Sequence, residues 1–134
     1  MPIRYVSRRS RTQPTNAELE ILRVLWQRGS STVREVHQSL ERATPVAYTT
    51  VLKLLQIMTE KGLVTRDAST RSHRYAAVTA QDAAQRRMIL DLAERAFGGS
   101  TLSLVLYALS TTPATAQGLD NVRRLLDKIV GGTS

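Results

Sequence analysis

The stretch that most restricts the fold of this chain is residues 47–78, in which three local signals follow one another. The first is an amphipathic helix over 47–61, opened by a Thr-Pro pair, because proline suits a helix start and disfavours helix in the residue before it. The second is Gly62, which is placed to end that helix in a left-handed conformation. The third is a pair of β-branched and aromatic runs, 63–65 and 73–78, separated by a polar connector. The stretch therefore predicts a helix, a glycine cap and a β-hairpin in succession.

Two further helices are predicted upstream of this stretch. Thr15 and Thr32 are each followed three residues later by glutamate, which is capping-box spacing and marks a helix start. Gly29 is expected to end the first helix, in which Trp26 keeps register with apolar neighbours and is interpreted as a core residue rather than a base-stacking one. Helix, helix, turn, helix and hairpin is the order of a winged helix-turn-helix, a module that places a helix in a DNA groove. The predicted fold class is mainly α with this small β-hairpin.

The charge of the chain favours an anionic partner. Nineteen Lys and Arg against eleven Asp and Glu give a formal charge of +8, a balance that suits nucleic acid or an anionic membrane surface. No apolar run approaches the roughly 20 residues needed to span a bilayer, so a cytoplasmic DNA-binding protein is expected. Residues 1–14 carry four arginines and no acid, and are interpreted as a basic disordered arm. This arm is either a solvated leader or a source of extra phosphate and minor-groove contacts.

A second, helical domain is predicted over 79–134, after the DNA-binding domain at 15–78. Three segments, 81–97, 101–109 and 119–130, carry apolar residues at helical spacing, and glycine pairs are expected to end the first and the last. So short a tail cannot hide this apolar surface against itself, so a second copy of the chain is the expected partner, with a cap on the winged helix as the alternative. The residues assigned to dimerisation are Met88, Leu92, Leu102, Val105, Leu106, Leu109, Val122, Leu125, Leu126 and Ile129.

Candidate DNA contacts come from the helix at 47–61, the hairpin and one helix start. Threonine hydroxyls can bond a phosphate or a base edge, and lysine or arginine can take a phosphate or a guanine edge. A helix start can also hold a phosphate on its free backbone N–H groups. The residues assigned to DNA binding are Thr32, Tyr48, Thr49, Thr50, Lys53, Arg71, His73 and Arg74, with partial burial as the alternative for Thr50.

Enzymatic activity is not expected. The chain has no cysteine and two histidines in distant contexts, and it has no His-Glu-x-x-His motif, phosphate loop or nucleophile elbow. No catalytic residue, metal ligand or cofactor site is assigned.

Several strings resemble the penicillinase/methicillin repressor family (BlaI/MecI/CopY type). They are AYTTVLKLLQIMTEKGLVTRD and HRY in the first domain, and FGGS, SLVLYAL and LDNVRRLLDKI in the tail. The resemblance implies a homodimeric winged-helix repressor with an inverted-repeat operator of TACA/TGTA half-sites, in a β-lactam-resistance-type or related stress operon. The chain departs from the family pattern at Gly118, where an acidic residue is usual, and at Ile57, where arginine is frequent. It also lacks the cysteine motifs of the copper-responsive relatives.

The resemblance further implies a route of release. In antibiotic-responsive relatives a membrane sensor's protease pathway cuts the repressor inside its dimerisation region. The corresponding bond here joins Tyr107 and Ala108, where the relatives have an Asn-Phe pair, so the specificity of the protease need not carry over. The implied partners are thus a double-stranded DNA operator, a second copy of the chain and a membrane sensor pathway.

Two other functions compete with a specific repressor. A non-specific or architectural DNA-binding protein would bind any duplex with equal affinity, without the large preference that specific binders show. A winged-helix protein–protein interaction module would keep its partner at salt concentrations that dissociate a phosphate-bound complex. The basic hairpin and arm argue against the second of these.

Overall fold

The computed structural model describes residues 13–111 and 113–133, with side chains as far as residue 131, so most of the predicted basic arm lies outside the described residues. Within them the chain is mainly helical with one small sheet, as predicted. The elements are α1 (Asn16–Arg28), β1 (Ser31–Thr32), α2 (Val33–Glu41), α3 (Tyr48–Lys61), β2 (Val64–Asp67), β3 (Arg74–Ala77), α4 (Gln81–Ala96), α5 (Thr101–Thr111) and α6 (Ala116–Thr133).

Both predicted capping boxes form. The Thr15 hydroxyl accepts from Glu18 N at 3.2 Å, and the Glu18 carboxylate accepts from Thr15 N at 2.9 Å. Thr32 and Glu35 repeat the arrangement at α2 with the same two distances. Each box gives a hydrogen-bond acceptor to two backbone N–H groups that have no partner within the helix. This fixes where α1 and α2 begin.

The third helix begins one residue later than predicted, with Ala47 as its N-cap. Val51, Leu55 and Met58 have no exposed surface and form its buried face. Gly62 ends it at φ 81°, the left-handed conformation that an L side chain rarely adopts, so the predicted glycine cap is confirmed.

The sheet has three strands rather than the two of the predicted hairpin. β2 and β3 pair antiparallel from Val64–Ala77 to Asp67–Arg74, and the short β1 adds to the other edge of β3 through Ser31–Tyr75 and Thr32–Arg74. A two-residue strand has no alternation to detect, so no local pattern predicted β1. Its effect is to join the hairpin to the start of α2.

One apolar core lies between α1, α2, α3 and the sheet. Its buried members are Ile21, Leu22, Val24, Leu25, Val33, Val36, Val51, Leu55, Met58, Val64 and Tyr75. Trp26 packs against this core and its indole N–H donates to the Thr79 carbonyl at 2.9 Å, which confirms it as a packing residue. At roughly 25 cal/mol per Å² of apolar surface removed from water, this core is the main source of stability for the first domain.

The C-terminal helices differ from the predicted segments at their ends. After α4, Gly99 N donates to the Ala93 carbonyl at 2.8 Å, as expected of a glycine stop. α6 starts at Ala116 and contains Gly118, whose N–H donates to the Thr115 hydroxyl at 2.9 Å. The predicted end at Gly131 is wrong, because α6 continues to Thr133. A glycine costs a helix about 1 kcal/mol relative to alanine, which weakens the last turn without forbidding it.

The chain divides into two compact units between Gln85 and Arg86, within α4. The first unit holds the core. In the second unit, the buried side chains among the described residues are Asp91 and Ala93. No helix in the described part of the chain is both long and apolar enough to cross a membrane.

Candidate nucleic-acid interface

The first turns of α3 carry four of the predicted DNA-binding residues, all of them exposed. Because Val51, Leu55 and Met58 turn one side of the helix into the core, the opposite side faces outward. Thr49 and Lys53 lie there with Thr50 beside them, whereas Tyr48 lies at the helix start in line with Val51; all four are exposed. Thr50 is therefore not partly buried, and the four side chains occupy the first turn and a half of the helix. With 14 residues α3 is about 21 Å long, enough to cross a major groove.

The start of α3 is held by a histidine that the sequence did not assign to the site. His37 Nε2 on α2 lies 2.8 Å from the carbonyl oxygen of Val46 and 3.0 Å from Glu41 Oε1. Its ring meets the Tyr48 ring edge to face, with centroids 5.7 Å apart. No local sequence pattern around His37 shows that the turn before α3 folds back onto it.

The connector between β2 and β3 presents basic side chains. Arg71 and His73 are exposed. Asp67 accepts from Ser69 N at 2.9 Å, and this backbone hydrogen bond is the largest cause of the lowered pKa of the Asp67 carboxyl. Thr70 donates to the Ser72 carbonyl at 2.6 Å. The connector is thus held by its own hydrogen bonds.

Arg74 is placed differently from Arg71. Its guanidinium donates to the Ser30 carbonyl at 2.6 Å and to the Ser30 hydroxyl at 3.3 Å, and lies 3.5 Å from Glu35. Glu35 also lies 3.4 Å from Arg28. The hydrogen bond from Thr32 N, followed by the charges of Arg74 and Arg28, lowers the pKa of the Glu35 carboxyl. Arg74 therefore ties the base of the hairpin to the start of α2.

Thr32, the predicted residue at the α2 start, has its hydroxyl engaged as the N-cap of that helix. Its backbone also pairs with Arg74 in the sheet. The structure thus gives Thr32 and Arg74 internal partners, whereas it leaves the α3 residues and the connector side chains at the surface.

The second lysine of α3 takes part in an internal ion pair. Lys61 Nζ lies 2.9 and 3.0 Å from the two carboxylate oxygens of Glu18, which is only 2% exposed. This pair joins the start of α1 to the end of α3 across 43 positions of sequence. No local pattern could have revealed it, and it leaves Lys53 as the lysine of α3 on the outer face.

The residues assigned to dimerisation lie on the second unit with their side chains largely uncovered. Leu102 is 63%, Leu106 60% and Leu125 56% exposed. Leu92, Val105, Leu109, Leu126 and Ile129 are also exposed, and Met88 and Val122 are partly buried. Tyr107 and Ala108 are exposed on α5, where the Tyr107 ring lies 6.3 Å from that of Phe97.

Metal-binding side chains do not cluster in the described ranges: no three His, Cys, Asp or Glu residues come close enough there to hold an ion.

Comparison with known proteins identifies the family of this chain. A family model described as penicillinase repressor matches residues 14–128. Proteins named transcriptional regulator BlaI from Mycobacterium tuberculosis strains CDC 1551/Oshkosh and ATCC 25618/H37Rv are each 32% identical over 123 residues, which span 90% of this chain and 88% of theirs. A solution structure of the DNA binding domain of the repressor BlaI aligns at 24% identity and a TM-score of 0.48, over 52% of this chain and 85% of that one. The chain belongs to the penicillinase repressor family, a family of DNA-binding transcriptional repressors with a winged helix.

Proposed function

We propose that this repressor acts as a homodimer in the cytoplasm and binds an inverted-repeat operator, with the α3 of each copy in a major groove and the β2–β3 connector beside it. The observation that carries the proposal is the start of α3, where Tyr48, Thr49, Thr50 and Lys53 are all exposed. A helix that buries one side in a domain core and presents hydroxyls and a lysine on the other matches the recognition helix of this class of module.

The chemistry of these side chains supports base recognition. Threonine can donate to or accept from a base edge and can place its methyl group against that of thymine, and lysine can donate to a guanine edge. In the connector, Arg71 and His73 are exposed and suited to phosphate contact, which positions a protein on the duplex without specifying sequence.

The state of the second unit supports dimerisation. Alone, it leaves α5 with Leu102, Val105, Leu106 and Leu109 exposed along one side and with Tyr107 and Ala108 exposed on the others. A helix that is apolar on all sides is normally buried, and helices this short are marginal when isolated in water. The unit carries both charge signs, which suits contact with a surface of the same composition, so a second copy is the partner we propose.

The operator and its context follow from the resemblance to the family. It implies TACA/TGTA half-sites and a β-lactam-resistance-type or related stress operon. Two copies related by a two-fold axis would bind two half-sites about 34 Å apart, or a small multiple of that distance.

Release by cutting of the Tyr107–Ala108 bond is proposed on the same ground. Both residues are exposed on α5, and a cut there would sever Leu109 and the α6 residues of the proposed dimer contacts from the DNA-binding domain. Two linked half-sites bind far more tightly than one, so the cut protein would leave the operator. The test is to expose producing cells to a β-lactam and blot for the repressor. A full-length band that persists while the promoter is induced excludes cleavage.

The proposed function is tested by selecting duplexes from a random library with the full chain and then footprinting the enriched sequence. An inverted repeat protected on two half-sites is expected, together with a dimer in sedimentation at tens of micromolar. Enrichment of no sequence would overturn operator recognition. A monomer at that concentration would overturn the dimer.

A further inference from the structure

His37 occupies a position from which one side chain contacts both ends of the turn before α3. It lies on α2, with 22% of its side chain exposed. Its Nε2 atom faces the Val46 carbonyl oxygen at 2.8 Å and the Glu41 carboxylate at 3.0 Å. A carbonyl oxygen accepts hydrogen bonds and cannot donate them, so Nε2 carries the hydrogen in this arrangement.

The same ring contacts the first residue of α3. The Tyr48 ring meets it at 78° with a centroid distance of 5.7 Å, an edge-to-face arrangement of the kind that aromatic pairs prefer. Tyr48 is 45% exposed, so this contact fixes one side of a ring whose other side faces solvent.

The turn depends on such a contact because α3 lacks the cap that the preceding helices have. α1 and α2 begin with threonine side chains that accept from their own backbone, whereas the N-cap of α3 is Ala47, with no side-chain hydrogen bond. On the α2 side of the turn, Ala43 N and Thr44 N both donate to the Leu40 carbonyl at 3.0 Å. The His37–Val46 bond supplies the corresponding support on the α3 side.

We propose that His37 is a positioning residue for DNA recognition: its Nε2–H holds the backbone at Val46 and its ring holds Tyr48, so that the first turn of α3 meets DNA in one orientation. The inference rests on the proposed function, in which Tyr48, Thr49 and Lys53 contact the operator. Hydrogen bonds to base edges weaken steeply as their angles depart from linear. A first turn free to tilt would therefore lose specific contacts and keep the phosphate contacts that depend on charge.

The test compares His37→Phe with His37→Gln in the full chain. Phenylalanine keeps a ring against Tyr48 but removes the N–H donor. Glutamine keeps an N–H donor, because its amide nitrogen lies the same number of bonds from Cβ as Nε2 of histidine. The measured quantity is the ratio of affinities for a duplex enriched from the random library and for the same bases in shuffled order. His37→Phe is expected to lower this ratio by about three- to tenfold, the range for one lost hydrogen bond, and His37→Gln to keep most of it.

Two further measurements separate positioning from folding. Thermal unfolding followed by circular dichroism reports whether each variant folds, and imidazole nitrogen shifts in the wild-type chain report whether Nε2 carries the hydrogen. An unchanged ratio in His37→Phe, an equal loss in His37→Gln, an equal loss of affinity for both duplexes, or a hydrogen on Nδ1 would each overturn the inference. If the wild-type chain binds the enriched and the shuffled duplex with equal affinity, the proposed function itself is overturned. If His37→Phe keeps the wild-type ratio of the two affinities, only the role of His37 is overturned.

Discussion

At the scale of single residues, two glutamates at equivalent positions of two capping boxes have acquired different second partners. Glu18 is buried and paired with Lys61, and Glu35 is partly exposed between Arg28 and Arg74. In each case the carboxylate that caps its own helix also contacts a distant element. The capping hydrogen bonds hold the carboxylate in one position, and the distant cation pairs with it there.

Replacing Lys61 with methionine is expected to destabilise the first domain. The change would leave the Glu18 carboxylate, 2% exposed, without its cation. A loss of about 2 kcal/mol in the free energy of unfolding is expected, in the range for a buried group deprived of its partner. Lys61 is itself 27% exposed, which keeps the loss below that of a fully buried pair. Urea denaturation measures it. Adding Glu18→Gln should recover part of the loss, since glutamine also serves in a capping box; a double variant less stable than Lys61→Met alone would contradict this account.

Glu35 should make stability depend on acid pH. Its pKa lies below the ordinary value of 4.5, chiefly through the hydrogen bond from Thr32 N and then through Arg74 and Arg28. A lowered folded-state pKa contributes stability that is present above the unfolded-state value and is lost as the pH falls through the folded one. The urea midpoint of the wild type should therefore fall below about pH 4.5. Glu35→Gln should lower the midpoint at neutral pH and flatten its decline with acid. Glu20→Gln, at an exposed position of α1, is the control and should leave the decline unchanged.

At the scale of elements, α3 and the sheet differ in how they are supported. α3 is fixed by its buried face, by the Gly62 cap, by the contact of His37 on α2 with Val46, and by the pairing of its Lys61 with Glu18 on α1. The hairpin is fixed by β1 and by the bonds of Arg74 to Ser30. α3 and the hairpin, the two elements proposed to contact DNA, are thus both bonded to α2 or to the residues just before it: α3 through His37, and the hairpin through β1 and Ser30.

Thr49→Ala and Lys53→Ala should reduce discrimination more than affinity. Both side chains are exposed one turn apart on α3, and neither is part of the core. Loss of a specific base contact costs about 1–3 kcal/mol of discrimination. The ratio of operator to shuffled-duplex affinity, measured by fluorescence anisotropy at fixed salt, should fall accordingly. Arg23→Ala removes an exposed positive charge from α1 and should leave the ratio intact. Unchanged ratios in both α3 variants would place base recognition elsewhere.

Arg71→Ala and Arg74→Ala should separate phosphate contact from hairpin support. Arg71 is exposed on the connector, so its loss should reduce the slope of log affinity against log salt by about 0.9 and leave the melting temperature unchanged. Arg74 also bonds Ser30 and Glu35, so its loss should weaken binding to all sequences and lower the melting temperature as well. Equal melting temperatures for the two variants would show that the Arg74 contacts contribute nothing to stability.

At the scale of the whole molecule, the two units are unequal. The first unit encloses a core of eleven buried apolar side chains, whereas the second, in its described part, buries Asp91 and Ala93 alone. The buried core thus lies in the first unit, which also carries the proposed DNA contacts. The second carries exposed apolar side chains, for which a second copy of the chain is the proposed partner.

Leu106→Asp and Leu125→Asp should each weaken dimerisation severely. These leucines are 60% and 56% exposed in the single chain, and burying a leucine side chain contributes about 1.5–3 kcal/mol. Sedimentation equilibrium should show a shift from dimer to monomer at concentrations where the wild type is dimeric. Lys128→Asp puts the same side chain on the polar side of α6 and should leave the dimer intact. Dissociation in all three variants would indicate loss of the helices rather than of one interface.

The sequence by itself determined the elements whose signals are local. Two capping boxes, a glycine cap and the 3.6-residue period of α3 fix helices by contacts within a few residues, and the resemblance of several strings identified the family. The outer-face residues Thr49 and Lys53 followed from the same period, because burial of one side of a helix assigns the other to solvent.

Only the tertiary structure decided what depends on residues far apart in the chain. The third strand, the Glu18–Lys61 pair, the Arg74–Ser30 bonds and the contact of His37 with Val46 each require the chain to have folded before the partners meet. The end of α6 beyond Gly131 was missed for a related reason, since the cost of one glycine is small compared with the hydrogen bonds of a continuing helix. Local sequence carries hydrogen-bond and periodicity signals, but the pairing of distant side chains is set by the packing of the core between them.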